Sequence, residues 1–315
     1  MIALLTEDFS FDQRTKLIEA YPSIEWHLYS SLDQSEYLTK AELLITYGND
    51  VKERHIQSAA SLKWIMIISA GMEEMPFAAI ANKGITVTNV KGIHKIPMAE
   101  YTLSWMLNSV RKNDVIRAKE HEKSWAYELP MAELHGKRVV IAGAGAIGAE
   151  IGRLCKAFGM HTVGVNSDGR PTDHMDDMAT LASWSKYLQQ ADFIVNVLPS
   201  TRGTKHLFNK QTFAHFNPLA VFINIGRGST VNERDLLEAL EAGMFAHAVL
   251  DVFAEEPLPK SSPFWEHPRI SVTPHHSGVS TKYDERALHI VMKNMDAFLN
   301  KTDQWLNKVD PHKGY

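Results

Sequence analysis

An α/β fold built from two doubly wound parallel sheets is what this sequence predicts, on three observations. Short β-rich runs alternate with helical patterns along almost the whole chain, the order expected when parallel strands are joined by crossover helices. The leading strands of the second half are near-continuous apolar runs, as needed where helices cover both faces of a sheet. A chain of 315 residues also exceeds one ordinary core, so two domains are expected.

In the first third, candidate strands lie at residues 2–5, 24–29, 43–46, 64–68 and 85–88, with helical patterns at 12–20, 51–60 and 73–82 between them. Five strands with crossover helices suggest a flavodoxin-like open sheet. Ala99, Leu103, Met106, Leu107 and Val110 then fall at helical spacing, which predicts one long helix over 96–121. Pro97 fits its first turn, where a missing N–H does no harm. After a polar stretch over 119–135, a second strand series follows at 138–141, 161–165, 192–197, 220–224, 246–250 and 270–272. The chain is helical again from Tyr283 to about Leu299.

Composition narrows the function. Hydrophobic content of 44% with 22% charged residues is ordinary for a globular protein. A net charge of −4 with no long basic run argues against a nucleic-acid surface. The single cysteine, Cys155, excludes an intramolecular disulfide and a cysteine metal cluster. It falls on the apolar face of a predicted helix and reads as core. His267, His275 and His276 make no zinc set, because Pro268 and a strand intervene. The N-terminus lacks a basic n-region, and no stretch of about 18 apolar residues spans a bilayer. A cytoplasmic protein without membrane contact is expected. No G-K-[ST] phosphate loop or G-x-S-x-G elbow is present.

The sharpest local signal is Gly143-Ala144-Gly145-Ala146-Ile147-Gly148. It follows the strand Val139-Val140-Ile141 and opens a helix with Ile147, Ile151, Leu154, Cys155 and Phe158 on one face, the context that marks a dinucleotide site. Gly143 permits the tight turn, Gly145 lets backbone approach a pyrophosphate, and Gly148 lets helix and strand pack closely. Free amides at the helix start face the phosphates. Asn166 stands 23 positions past Gly143, where an acidic residue usually takes the ribose hydroxyls of NAD. A neutral residue there, with Ser167 beside it and Arg170 free to pair with a 2′-phosphate, favours NADP over NAD. Asp168 remains an alternative ribose partner.

Three ionisable residues lie in loops after late strands of the second series. Arg227 follows Val221-Phe222-Ile223-Asn224, Glu256 follows Val249-Leu250-Asp251-Val252-Phe253, and His275 follows Ile270-Ser271-Val272-Thr273-Pro274. Doubly wound sheets bind ligands at such strand ends. With these residues in place, the chain resembles the D-isomer-specific 2-hydroxyacid dehydrogenase family along nearly its whole length. The resemblance rests on 139–158, Asn224 to Gly228, the run Asp251-Val252-Phe253-Ala254-Glu255-Glu256-Pro257-Leu258-Pro259, and Thr273-Pro274-His275.

The resemblance implies an oxidoreductase moving a hydride between a nicotinamide cofactor and C2 of a small 2-oxo or 2-hydroxy acid. It implies Arg227, Glu256 and His275 as the catalytic trio, with Glu255 and His276 as displaced rivals. Protonated His275 would donate a proton to the carbonyl oxygen as hydride arrives. Glu256 would favour the imidazolium and orient the ring. Arg227 offers a cationic fork for the substrate carboxylate and the developing oxyanion. Ser69-Ala70-Gly71-Met72 resembles the family's loop that holds the substrate carboxylate from across a cleft. Ala70, Gly71 and Met72 are therefore expected to bind substrate with Arg227. Asp251 is expected near the nicotinamide, with Leu198-Pro199 and Ile225-Gly226 lining its trough. The side-chain pocket is expected around residues 47–50, Met72 and 125–129.

The resemblance also sets the expected domains: a substrate domain over 1–97 plus 286–315, and a Rossmann dinucleotide-binding domain over 98–285. The long helix from Pro97 resembles the family's dimerisation element, so a homodimer is expected. The run Pro257 to Pro268 looks most like glyoxylate/hydroxypyruvate reductases in the family. With Asn166 and Arg170, that implies NADPH-driven reduction of glyoxylate or hydroxypyruvate. Phenylpyruvate, other 2-oxo acids and 3-phosphoglycerate stay open. So does an NAD(H)-sensing, protein-binding role like that of the family's co-repressors.

Overall fold

In each strand, side-chain alternation decides which face a residue covers. In Trp64–Ile67, Trp64 and Met66 join one apolar cluster, and Ile65 and Ile67 join another on the opposite face. In Arg138–Ala142, Val139 and Ile141 likewise face one cluster while Val140 and Ala142 face the other. Both sheets are thus covered on two sides, and every strand pairing in them is parallel.

The structure is a computed structural model, and it describes residues 1–6, 9–69, 72 and 75–312. The chain divides into two compact units, Met1–Ile93 with Ser280–Tyr315, and His94–Val279. The changeovers fall at 93/94 and 279/280, against 97/98 and 285/286 expected from sequence.

The first unit holds β1 (Ile2–Leu5), β2 (Glu25–Leu28), β3 (Leu43–Thr46), β4 (Trp64–Ile67) and β5 (Thr86–Asn89), in the order β2-β1-β3-β4-β5. This is the flavodoxin-like order. Ala287, Leu288, Val291 and Met295 of the helix Tyr283–Leu299 pack on the Trp64 face, so the end of the chain completes this core. Fully buried Asn294 ties that helix to the following segment. Its Oδ1 accepts from Leu306 N–H at 2.7 Å and its Nδ2 donates to Leu306 C=O at 3.1 Å. Both polar ends are satisfied, which is what makes an asparagine tolerable in a core.

The second unit holds β6 (Arg138–Ala142), β7 (His161–Val165), β8 (Asp177–Ala179), β9 (Phe193–Asn196), β10 (Val221–Asn224), β11 (His247–Leu250) and β12 (Ile270–Val272). Their order is β12-β11-β10-β9-β6-β7-β8. From β6 the chain winds outward through β7 and β8, and then resumes from β9 in the other direction. The switch point therefore lies between β6 and β9, where such sheets open a crevice at their carboxyl ends. One face packs on Phe208, Phe213, Phe216, Phe222 and Phe245, with Phe208 and Phe222 ring centroids 4.8 Å apart. Burying each such side chain stabilises by about 2–3 kcal/mol. Among the described residues, no helix is long and apolar enough to cross a membrane.

Two sequence expectations need correction here. The single helix over 96–121 is two, Lys95–Arg111 and Asn113–His121, broken at Lys112, whose φ of 55° lies in the left-handed region. The apolar periodicity ends at Val110, so nothing buried holds the second piece in line with the first: Asn113–His121 has no buried residue. The strand Asp177–Ala179 was missed. It is an edge strand of three residues beside β7, too short and too polar to show an alternating pattern.

Candidate active site

The glycine turn sits at the carboxyl end of β6, at the switch point. Gly143 has φ +105°, and a Cβ there would lie 3.0 Å from the backbone carbon of Val197, just past β9. A Cβ on Gly148 would stand 2.3 Å from the Gly143 carbonyl oxygen, so only glycine lets helix and turn approach this closely. Gly145 is the opposite case: it is exposed, and a Cβ would meet nothing within 4 Å. The open space on that side is the room a pyrophosphate needs. The helix Ala146–Ala157 begins here, and Ala149 N–H donates to Gly145 C=O at 2.8 Å. Ala146, Ile147 and Gly148 precede that first bond, so their amides belong to the orphan set that binds anions. These residues fit a dinucleotide.

Three neighbouring parallel strands, β10, β11 and β12, end on the same edge and carry the three ionisable residues. His275 Nδ1–H donates to Glu256 Oε2 at 2.6 Å, and Glu256 Oε1 accepts from Phe253 N–H at 2.8 Å. The carboxylate is thus held at both oxygens, and the ring is held by the carboxylate. Both side chains stay reachable, at 52% exposure for His275 and 34% for Glu256. Nδ1 is engaged, so Nε2 is the nitrogen left for a ligand.

Arg227 is half-buried, with Nη1 donating to Gly226 C=O at 2.9 Å. Its loop rests on a buried polar network that sequence reasoning missed. Asn196 Nδ2 donates to Asn224 Oδ1 at 2.8 Å and to Thr230 Oγ1 at 2.7 Å. Thr230 Oγ1–H donates to Arg227 C=O at 2.6 Å, and Asn224 Oδ1 accepts from Gly226 N–H at 3.2 Å. Asn196 Oδ1 accepts from Leu198 N–H at 3.1 Å. One satisfied network therefore sets the course of both the 198 and 226–227 segments. The available signal was a polar residue ending two otherwise apolar strands. The Arg227 loop also touches the Glu256 loop: a Cβ on Gly228 would fall 1.9 Å from the backbone carbon of Phe253.

Residues 103–277 match the family model "D-isomer specific 2-hydroxyacid dehydrogenase, NAD binding domain". The chain belongs to this family. It is 31% identical over 270 residues to glyoxylate/hydroxypyruvate reductase A of Yersinia enterocolitica, covering 82% of this chain and 84% of that one. A solved D-isomer specific 2-hydroxyacid dehydrogenase family protein from Aeromonas salmonicida superposes with a TM-score of 0.88 at 32% identity, over 98% of this chain and 99% of the other. The NADPH-dependent glyoxylate/hydroxypyruvate reductase of Sinorhizobium meliloti, solved with NADP and sulfate, gives 0.83 at 26% identity, over 100% and 99%. The protein is an enzyme of 2-hydroxyacid oxidoreduction that uses a nicotinamide cofactor.

Within this dehydrogenase His276 packs its ring edge-on against Tyr101, centroids 5.8 Å apart, and Glu255, like Glu256, is exposed. Asp251, expected beside the nicotinamide, is 0% exposed. Its Oδ1 accepts from His276 N–H at 3.0 Å and its Oδ2 from Ser277 N–H at 2.9 Å, so its side chain shapes the loop that carries His275. Ile225, expected in the trough, buries its side chain in the core at 2% exposure, while Gly226 packs its backbone against Leu198. Leu198 is half-buried and Pro199 exposed.

The 166–170 loop is organised by its own side chains. Asn166 Oδ1 accepts from Gly169 N–H at 2.6 Å and Nδ2 donates to Arg170 C=O at 2.9 Å. Arg170 pairs with Asp168 at 3.0 Å, and Ser167 is exposed. In the first unit, Ala70 and Gly71 lie outside the described residues. Met72, expected to meet substrate, is 8% exposed and belongs to the unit's core, with Asn89 Nδ2 near its sulfur at 3.4 Å. Asp50 is likewise spent on structure, accepting from Thr46 Oγ1 at 2.6 Å and from Leu32 N–H at 3.3 Å. Cys155 reads as core here too: it is 1% exposed, and burial pushes its thiol up to about 12.

Proposed function

We propose that this dehydrogenase reduces a small 2-oxo acid, glyoxylate or hydroxypyruvate foremost, with NADPH. The observation that carries the reading is the 2.6 Å bond between His275 and Glu256, on the same strand-end edge as the glycine turn. When bound, the reduced cofactor supplies the hydride. His275 donates a proton from Nε2 to the C2 oxygen as negative charge develops there. Glu256 accepts from Nδ1–H and so fixes the ring plane. Arg227 binds the substrate carboxylate and stabilises the oxygen. The acid product leaves with one added hydrogen on C2, from the hydride, and one added on oxygen, from His275.

NADPH is proposed because a neutral side chain, Asn166, follows β7, with Arg170 four residues on. The Arg170–Asp168 pair is solvent-exposed at 68% and 55%, and such pairs hold weakly, so the guanidinium is available to a 2′-phosphate. The substrate is proposed from the run Pro257 to Pro268 and from the names of the relatives above. The test is a panel of 2-oxo acids assayed with NADH and NADPH separately. The expected result is fastest turnover of glyoxylate or hydroxypyruvate with NADPH. No turnover of any 2-oxo acid with either cofactor ends the reading. In Asn166→Asp the Oδ1 acceptor for Gly169 is kept while a negative charge is added, so the ratio of kcat/KM for NADPH over NADH should fall by about tenfold or more, on the order of 1.4 kcal/mol. An unchanged ratio removes the 2′-phosphate argument.

A homodimer is proposed on the same footing. The helix Asn113–His121 buries none of its residues, Val115 and Ile116 are 40% and 42% exposed, and Trp125 and Tyr127 are 93% and 87% exposed. We read these exposed large apolar side chains as part of an association surface. Sedimentation should give twice the 35.5 kDa chain mass, and Ile116→Glu should shift the equilibrium toward monomer. A wild-type monomer at micromolar concentration contradicts the proposal.

A further inference from the structure

His275 has φ +51°, a left-handed conformation that an L side chain rarely adopts. Something must hold it there, and the contacts converge on Asp251. His275 N–H donates to Asp251 C=O at 2.9 Å and to Thr273 C=O at 3.1 Å. The next two amides close on the Asp251 carboxylate, as described above. That buried carboxylate has a further partner: Thr273 Oγ1–H donates to Oδ1 at 2.6 Å. Thr273 has a single hydroxyl proton and spends it on Asp251. Its 2.6 Å contact with the Tyr101 phenol therefore runs one way, with Tyr101 O–H donating to Thr273 Oγ1. Burial pushes the phenol pKa up, which keeps the donor protonated. Tyr101 itself stands on the helix Lys95–Arg111, flanked by Trp105 and His276.

We propose that Tyr101 is a positioning residue for His275, acting through a one-way hydrogen-bond chain from Tyr101 to Thr273 to Asp251. The chain holds the 273–277 loop in the conformation that presents the imidazole to Glu256. The proposal rests on the reading of His275 as proton donor. Without the phenol, Thr273 Oγ1 loses the donor that completes its geometry, and the loop around Asp251 can relax away from its left-handed turn. A shift of about 1 Å in a reacting group lowers rates by up to about a hundredfold.

The experiment measures kcat, KM and cofactor Kd for Tyr101→Phe, Thr273→Val, Thr273→Ser and the Tyr101→Phe/Thr273→Val double variant. The substrate is the 2-oxo acid that the wild type turns over fastest. In parallel, the ring Cε1–H resonance of His275 is followed by NMR, assigned by its loss in His275→Ala. Tyr101→Phe and Thr273→Val should each lower kcat about tenfold, with KM and cofactor Kd within about twofold, and should move the His275 resonance. Thr273→Ser, which keeps the hydroxyl, should restore both rate and resonance. The double variant should be no slower than Thr273→Val, because both act through one chain.

Wild-type kcat with an unmoved resonance in Tyr101→Phe overturns the proposal, and so do losses that multiply in the double variant. If Tyr101→Phe does not fold, the contrast between Thr273→Val and Thr273→Ser decides alone: equal rates and resonances overturn it. If His275→Ala keeps its turnover, the acid–base reading is wrong. The resonance shift in Tyr101→Phe still reports whether the chain positions the ring.

Discussion

Replacing His275 with alanine should lower kcat by about 10²–10⁴-fold, the usual contribution of a general acid, or about 3–5 kcal/mol of barrier. Cofactor affinity should persist. The glycine turn proposed to receive the pyrophosphate is formed by the 143–148 segment, and among the described residues none of its backbone bonds involves His275. Nor does the imidazole support the fold: it is 52% exposed, and its polar contact is with Glu256. Fluorescence titration with NADPH beside steady-state kinetics separates the two effects. A variant that still turns over at near-normal rate would remove His275 from the chemistry. A variant that no longer binds NADPH would mean the loop is part of the cofactor site.

Gly228→Ala should do damage of another kind. The added methyl would fall 1.9 Å from the backbone carbon of Phe253, 2.0 Å from its oxygen and 2.5 Å from the nitrogen of Ala254. These are backbone atoms, so no rotamer change relieves the clash. The 253–254 segment is pinned besides, by Phe253 N–H to Glu256 and by Ala254 N–H to Glu233 Oε1 at 2.8 Å. Forcing the loops apart should cost about 3 kcal/mol or more, and should separate Arg227 from Glu256. Thermal unfolding should show a lower Tm, and the fraction that remains folded should still turn over poorly. An alanine variant with wild-type Tm and kcat would show that the two loops are not in contact as described.

What was legible in the sequence was local. The glycine turn declares itself because three glycines at fixed offsets each answer a different short-range requirement, and the strands around it are apolar without interruption. Arg227, Glu256 and His275 could be placed at strand ends because parallel strands put all their carboxyl ends on one side. The rest depends on contacts between residues far apart in the chain. Tyr101, Asp251 and Thr273 meet across more than 170 positions, and no period or spacing announces that. Asn166 looked free to face a ribose, yet its amide is consumed by Gly169 and Arg170. Lys112 breaks a helix without a glycine or proline to warn of it, and Met72 proves to be core.

The left-handed backbone of His275 carries a consequence for variation at this position. A residue held at positive φ stores conformational energy on the order of 1–2 kcal/mol, and glycine would release it. Selection for thermal robustness alone would therefore drift toward glycine here, while retention of the imidazole keeps the molecule below its attainable stability. Stabilising libraries built on this scaffold should leave this loop out, because its discomfort and its proposed chemistry reside in the same residue.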